Sequence, residues 1–214
     1  MALVLVDFDG TLLTGPSSEK RFFIDLLRRG RIGPRQLTAF LRFTLRWRRR
    51  WGGDVWKKNK AYLAGLAEAE VEDLARALAL QRLVPDLFPP MVRRLEAHRV
   101  RGDEVLLLTG TLDCIARPMA AHLGILHLRA TRCAVSGGRL LGDPPLEHPL
   151  GAAKVRIATE EARRRGLPLE EATAYGDASE DLALLTAVGR PVAVRPHPRL
   201  RREALRRGWA VLEA

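Results

Sequence analysis

The chain opens on a short unbroken apolar run, Leu3–Val6, that stops at Asp7. A run of this length, bounded at once by polar residues, predicts a parallel strand buried on both faces. It also predicts a functional residue at the strand's C-terminal end. Gly10 and the stretch Gly15-Pro16-Ser17-Ser18 then punctuate the chain. From Glu19 to about Leu83 apolar residues recur at helical spacing. Phe22, Phe23, Leu26 and Leu27 make one predicted face, and Leu37, Phe40, Leu41, Thr44 and Trp47 a second. Leu63, Leu66, Val71, Leu74 and Leu78 predict one or two further helices. Breaks fall at 30–34 and at Gly52-Gly53.

A second regime begins near Pro89. Helices are predicted over Met91–Val100, Asp113–Leu123, Ala152–Arg165, Asp181–Val188 and Leu200–Arg207. Strands are predicted over Glu104–Leu108, Ala172–Tyr175, Pro191–Val194 and Trp209–Leu212. His127–Leu141 has the character of a β-hairpin turning at Ser136-Gly137-Gly138. Strands alternating with helices predict an α/β fold: a Rossmann-like, mainly parallel sheet. The first helical block interrupts it directly after the first strand. An insertion there sits over the carboxyl ends of the strands, where open α/β sheets bind ligands. The expected division is an α/β core of residues 1–14 and 84–214 and an inserted α-helical cap of residues 15–83.

Composition narrows the function classes. Of 214 residues, 47% are apolar and 29% charged, a globular balance rather than a disordered one. No run approaches the roughly 18 apolar residues needed to span a bilayer. The start, MALVLVDFDG, lacks a basic n-region, so a cytoplasmic protein is the expectation. Two cysteines, Cys114 and Cys133, exclude a disulfide framework and a four-thiolate zinc site; they read as small packing residues. The five histidines, His98, His122, His127, His148 and His197, show no ligand spacing and read as structural or surface residues.

The formal charge of +11 is concentrated. Between Lys20 and Lys60 stand 14 Lys or Arg against Asp25 and Asp54, a net +12; the rest of the chain nets −1. This segment also carries Phe40, Phe43, Trp47, Trp51 and Trp56. Three readings are open: rings that pack the cap beneath a solvated basic face, recruitment of an anionic substrate, or docking on an anionic membrane surface. No nucleic-acid motif is recognised, and nucleic acid is not an expected partner.

Three predicted strands end in polar residues: Asp7-Phe8-Asp9-Gly10-Thr11, Thr109-Gly110-Thr111, and Gly176-Asp177-Ala178-Ser179-Glu180-Asp181. In a parallel sheet those ends share one edge, so Asp7, Asp9, Asp177 and Asp181 converge there. Unpaired carboxylates at close range raise one another's pKa. A hard divalent cation resolves this, and Mg2+ takes carboxylates, waters and phosphate oxygens. Lys154, one of only five lysines against 31 arginines, opens the preceding helix within reach of that edge. Thr109 offers a hydroxyl and nearby N–H groups to phosphate oxygens.

The order DFDGT, LLLTGT, a downstream Lys, then GDASED resembles the haloacid dehalogenase (HAD) superfamily of phosphohydrolases. The insertion, the Gly-rich hairpin and the C-terminal GRPVAVRPHPRLRREALRRGWAVLE resemble its subfamily IB, the phosphoserine-phosphatase-like hydrolases. The resemblance implies a Mg2+-dependent phosphomonoester hydrolase. Asp7 would be the nucleophile that forms an aspartyl-phosphate, and Asp9 the general acid and base. The metal would be held by Asp7, the backbone carbonyl of Asp9, and Asp177, with Asp181 supporting that shell. Lys154 would stabilise nucleophile and phosphate, and Thr109, Gly110 and Thr11 would contact the phosphate. The hairpin would border the site as a short flap. An acid at position 9 favours phosphate esters over halide displacement, since dehalogenase members lack it.

Two departures bear on substrate. Phosphoserine phosphatases usually carry a Glu seven residues after the second aspartate; here that position is Pro16, and Glu19 lies three further on. Their second motif commonly reads Ser-Gly-Gly, not Thr-Gly-Thr. The substrate class is therefore a small or lipid phosphomonoester, phosphoserine among them. The subfamily also acts on phosphatidylglycerophosphate and lysophosphatidate, and a cap of net +12 suits such anions. The alternatives are a phosphotransferase using the same intermediate, and an inactive HAD-fold module that binds anionic surfaces through its basic cap. The sequence does not set the oligomeric state.

Overall fold

The computed structural model describes residues 1–213. Six strands form one parallel sheet: β1 (Leu3–Val6), β2 (Glu104–Leu112), β3 (His127–Thr131), β6 (Thr173–Gly176), β7 (Arg190–Val194) and β8 (Ala210–Leu212), in the order β3-β2-β1-β6-β7-β8. A two-stranded antiparallel hairpin, β4 (Val135–Ser136) and β5 (Arg139–Leu140), stands apart. The chain order reverses between β1 and β6, so the loops after those strands diverge to opposite sides. That divergence opens a crevice at their carboxyl ends.

Strand β1 is buried at all four positions because both faces of the sheet are covered. Val4 and Val6 pack toward α1 (Ser18–Arg28), α4 (Glu68–Leu78), α5 (Pro89–Val100) and α6 (Asp113–His122). Leu3 and Leu5 pack toward α7 (Ala152–Arg165), α8 (Leu182–Ala187) and α9 (Pro198–Arg207). Each such aliphatic side chain removed from water contributes about 1.5–3 kcal/mol. The strand is thereby a rigid rail for the loop that follows it.

The helical insertion lies between β1 and α5. Ser17 caps α1 by accepting the Lys20 N–H. Pro34 opens α2 (Pro34–Trp51), where the Gln36 side chain accepts the Gly33 N–H. Gly52 stops α2, and a short α3 (Val55–Lys58) follows. A small separate core of Phe43, Val55 and Ala61, with Trp47 and Trp51 against it, holds this part together. The two tryptophan rings stack at 4.7 Å.

Three sequence expectations are corrected. His127–Thr131 is the edge strand of the main sheet rather than half of a hairpin, because Leu106–Leu108 pairs it in parallel. Only 135–140 forms the hairpin. On α2 the buried face is Gln36, Phe43 and Thr44 with Phe40 and Trp47 beside them, whereas Leu37 and Leu41 face solvent at 54% and 58% exposure. The aromatic side of that helix takes the core because rings bury more apolar area than leucines. Leu27, predicted to share a face with Phe22 and Leu26, is likewise 50% exposed. Among the described residues no helix is long and apolar enough to cross a membrane.

Gly189 marks a close approach between the turn before β7 and the chain leading into β6. A Cβ there would lie 1.7 Å from the Glu170 carbonyl oxygen. Gly189→Ala is expected to cost about 2 kcal/mol or more by forcing two backbones apart. Gly53→Ala, with nothing within 4 Å, should stay within about 0.5 kcal/mol of the parent. Urea titrations of the two variants read the difference.

Candidate active site

The crevice at the β1/β6 switch holds a cavity of about 520 Å³. Its floor is Asp7, Asp9, Thr109, Gly110, Thr111, Lys154 and Asp181; its far wall is Glu19, Phe23, Phe40, Trp56, Lys57, Lys60 and Tyr62 from the insertion. Residues separated by more than a hundred positions meet here because parallel strands deliver all their C-terminal ends to one edge.

Lys154, only 2% exposed, is the central cation of the floor. Its ammonium donates to Asp7 Oδ1 and to Asp181 Oδ1, at 2.6 Å each. The two carboxylates hold its pKa above the ordinary lysine range, against the effect of burial. Asp181 is 2% exposed, and its second oxygen accepts the N–H groups of Asp177 and Ala178 at 3.2 and 3.1 Å. It therefore folds the loop after β6 around itself. Gly176 is required there, since a Cβ would lie 2.6 Å from the Asp181 Cβ.

Asp7, Asp177 and Asp181 each place a carboxylate oxygen within 4.8 Å of the other two. Burial is the first cause that pushes Asp7 up to about 7; Lys154 opposes it and Asp181 adds to it. Burial, then Asp7 and Asp181, push Asp177 up to about 8. One lysine does not neutralise this cluster. A donor set of closely spaced hard oxygens is what a divalent cation such as Mg2+ stabilises. Among the described residues Asp7 Oδ2 and Asp177 Oδ2 accept no hydrogen bond, so Asp177 keeps an oxygen for such an ion and Asp7 keeps one free for chemistry. Both oxygens of Asp181 are taken, which suits a supporting role.

Asp9 is held apart from this cluster. Its Oδ1 accepts the Ser18 N–H at 2.7 Å, and its Oδ2 accepts the hydroxyls of Thr111 at 2.7 Å and Ser18 at 2.9 Å. Burial raises its pKa, while these three donors oppose the rise. Two carboxylates two residues apart thus occupy different environments: Asp7 against a cation, Asp9 against neutral donors at the start of α1.

The remaining expected residues divide. Thr109 and Gly110 line the cavity. The Thr109 hydroxyl accepts the Thr111 N–H at 3.1 Å, and the Gly110 carbonyl accepts the Thr131 hydroxyl at 2.6 Å. Thr11 is fully buried, and its hydroxyl donates to Asp177 Oδ1 at 3.2 Å. The backbone turns at Gly10 (φ 83°) just before it. The hairpin turns at Gly137-Gly138 as expected. Gly65 N–H donates to the Leu140 carbonyl, and Glu68 N–H to the Gly138 carbonyl, so the hairpin braces the end of the insertion and contributes nothing to the cavity lining. The cysteines match their expected packing role, with burial raising both thiols, Cys133 to about 11.

Several residues carry no sequence signal that would have marked them. Arg195, at φ 40°, donates to the carbonyls of Gly10 at 2.9 Å and Leu13 at 3.2 Å while lying over the Phe88 ring. The His197 N–H holds the Asp177 carbonyl at 2.8 Å. The loop after β7 thus braces both acidic loops. Lys60, 3% exposed, grips Glu19 at 2.6 and 2.7 Å, and Tyr62 donates to the same carboxylate at 2.8 Å. Lys57 bridges from the insertion to Glu180 in the core. His148 lines the cavity, with burial and then nearby lysines pushing it down to about 3. Because Thr131 must donate to the Gly110 carbonyl, its oxygen accepts from His148 Nδ1, which fixes the neutral tautomer. Thr111 alone was legible, as the last residue of the Thr-Gly-Thr motif.

The acidic cluster leads to a direct measurement. Mg2+ binding only the folded state is expected to raise the thermal midpoint, by about 2.7 kcal/mol of stability at a hundredfold excess over Kd. EDTA should reverse the rise, and Asp177→Asn should remove most of it in scanning calorimetry.

Comparison with known proteins agrees with the geometry. The sequence profile of the haloacid dehalogenase-like hydrolases matches residues 4–186. The phosphoserine phosphatase SerB1 of Mycobacterium tuberculosis is 30% identical over 221 residues, covering 98% of this chain and 70% of its own. The histidinol-phosphatase of Neisseria meningitidis is 31% identical over 160 residues, with 72% of each chain covered. The probable phosphatase Rv3661 of M. tuberculosis is 34% identical over 149 residues; the match takes in 70% of this chain but only 52% of that relative's length. In three dimensions, a Bordetella pertussis protein of unknown function superposes with a TM-score of 0.82 at 29% identity, covering 98% of this chain and 97% of its own. A phosphoserine phosphatase in apo form shares the fold, with a TM-score of 0.68 at 21% identity, 100% of this chain and 94% of that one. The chain belongs to the haloacid dehalogenase-like hydrolases, in their phosphoserine-phosphatase-like branch.

Proposed function

We propose that this chain is a Mg2+-dependent phosphomonoester hydrolase working through an aspartyl-phosphate on Asp7. The observation that carries the reading is the split between the two carboxylates of the first motif. Lys154 holds Asp7 by one oxygen and leaves Oδ2 without a donor, while Ser18 and Thr111 hold Asp9. A nucleophile needs a free lone pair. A general acid needs a proton at working pH, which burial of Asp9 favours. Relatives named as phosphatases of phosphoserine and of histidinol support the same class of reaction.

In this scheme Asp7 Oδ2 attacks phosphorus as the ester P–O bond breaks, and Asp9 protonates the departing alkoxide. Asp9, now ionised, takes a proton from water as that water attacks the aspartyl-phosphate, which frees Asp7 and inorganic phosphate. Lys154 and the backbone around Thr109 and Gly110 offset charge on the phosphoryl oxygens. Mg2+, held by Asp7 and Asp177 with the backbone carbonyl of Asp9, would supply further charge neutralisation there. Residues 15–83 serve as the cap and residues 1–14 with 84–214 as the core, the cap excluding water over the floor.

The far wall bears on substrate. Glu19 already satisfies Lys60 and Tyr62, so the carboxylate nearest the expected amine-binding position is neutralised. Lys20, Lys57, Phe40 and Trp56 line the same side. A phosphomonoester whose alcohol is anionic or apolar suits that wall better than a zwitterion.

Phosphate release from a panel of phosphomonoesters tests the assignment. Asp7→Asn should lower turnover at least about a thousandfold, and Asp9→Asn about 10²–10⁴-fold, with both variants still folded. Turnover that survives in Asp7→Asn, or is indifferent to EDTA, would sink the mechanism.

A further inference from the structure

We propose that the exposed face of α2 docks on an anionic lipid bilayer. The inference goes beyond the phosphatase reading and does not need it. Leu37, Leu41 and Leu45, each four residues from the next, form one ridge along the helix and are 54%, 58% and 57% exposed. Nothing in the fold covers them. The aromatic residues that drew attention in the sequence are elsewhere: Phe43, Trp47 and Trp51 pack inward. The solvent face is aliphatic by choice of residue, since charged side chains at the same positions would leave the fold intact.

The flanks of the ridge are cationic. Helix α2 has six arginines, Arg35, Arg42, Arg46, Arg48, Arg49 and Arg50, and no acidic residue. Arg42 and Arg49 stand three and four residues from Leu45, and Arg48 three from Leu45 and seven from Leu41, so all border the ridge. Five neighbouring cations of the insertion are paired: Arg21 with Asp86, Arg29 with Asp25, Arg31 with Glu70, Lys57 with Glu180, Lys60 with Glu19. Among the described residues no carboxylate pairs with any α2 arginine. Arg46 and Arg50 lie over the Trp47 ring instead.

A helix of 18 residues, about 27 Å long, thus presents an apolar ridge bordered by unpaired positive charge. An anionic bilayer surface answers both features: acyl chains beneath the headgroups receive the leucines, and lipid phosphates receive the guanidinium groups. A nucleic acid would answer the charge but offers no apolar layer for three leucines. Trp56, 60% exposed and against Phe40 of α2 at 5.8 Å, lines the cavity with Lys57.

The test is flotation of the full chain with vesicles of phosphatidylcholine alone and of phosphatidylcholine mixed with phosphatidylglycerol, at about 0.15 M salt. Binding is expected only to the anionic vesicles. The triple variant Leu37→Ser, Leu41→Ser, Leu45→Ser should lower partitioning about tenfold or more, and Arg42→Glu with Arg49→Glu should do the same. Neither set touches the catalytic floor, so hydrolysis of a soluble phosphomonoester should be unchanged and reports folding. Asp7→Asn should float like the parent, which separates this result from the fate of the phosphatase assignment. Three outcomes overturn the proposal: no binding to anionic vesicles, binding that the serine variant retains in full, or complete displacement of vesicles by an equal charge of oligonucleotide.

Discussion

Lys154 is buried with its ammonium 2.6 Å from both Asp7 and Asp181, and the remainder of the floor is organised around that contact. Breaking such a buried pair by removing one partner commonly costs about 3–5 kcal/mol, because the other charge is left without compensation. Here one cation faces three close carboxylates, so the balance is incomplete by design of the residue set. Asp181 is stabilised further by two backbone N–H groups, and Asp177 by the Thr11 hydroxyl. What remains is a deficit of positive charge at a cluster in which burial drives Asp7 and Asp177 toward neutrality. That deficit is the physical basis for expecting a divalent cation.

The supports of the site are as important as its members. Gly10 must be glycine because its φ is 83° and because a Cβ would fall 2.0 Å from Asp177 Oδ2. Arg195 ties the loop after β1 to the loop after β7 through two backbone carbonyls. Ser18 belongs to α1, so the placement of Asp9 depends on the first helix of the insertion and not on the sheet alone. Movement of the insertion relative to the core would change the environment of Asp9 before that of Asp7. The ion pair of Lys57 with Glu180 crosses the same boundary near the cavity mouth.

The insertion carries two chemistries on opposite sides. Inward it offers Glu19, Lys60, Tyr62 and aromatic rings to the cavity. Outward it offers leucines and unpaired arginines. The net +12 of the segment therefore has no single meaning: part of it is neutralised at the wall and part is left on the surface.

Most residues that carry the chemistry were legible because each stands at or near the end of an apolar strand run, within a few positions of a glycine; Lys154, on a helix, was legible as one of five lysines against 31 arginines. Asp7, Asp9, Thr109, Asp177 and Asp181 come together because parallel strands deliver their C-terminal ends to one edge, and Lys154 reaches that edge from α7. The α/β class was legible for the same reason. The tertiary structure decided what periodicity leaves open. On α2, leucines and rings together cover most of the helix circumference, and only packing against Val55 and Ala61 selects the aromatic side for burial. His127–Thr131 was assigned to the wrong partner because a short strand before a Gly-Gly turn reads as a hairpin, while the parallel pairing with β2 is a contact with residues some twenty positions away. Thr11, Arg195 and His148 take their places from loop curvature and from neighbours remote in sequence. Short-range pattern fixes the element and its terminal chemistry; which faces meet is settled by non-local burial, and no local window contains it.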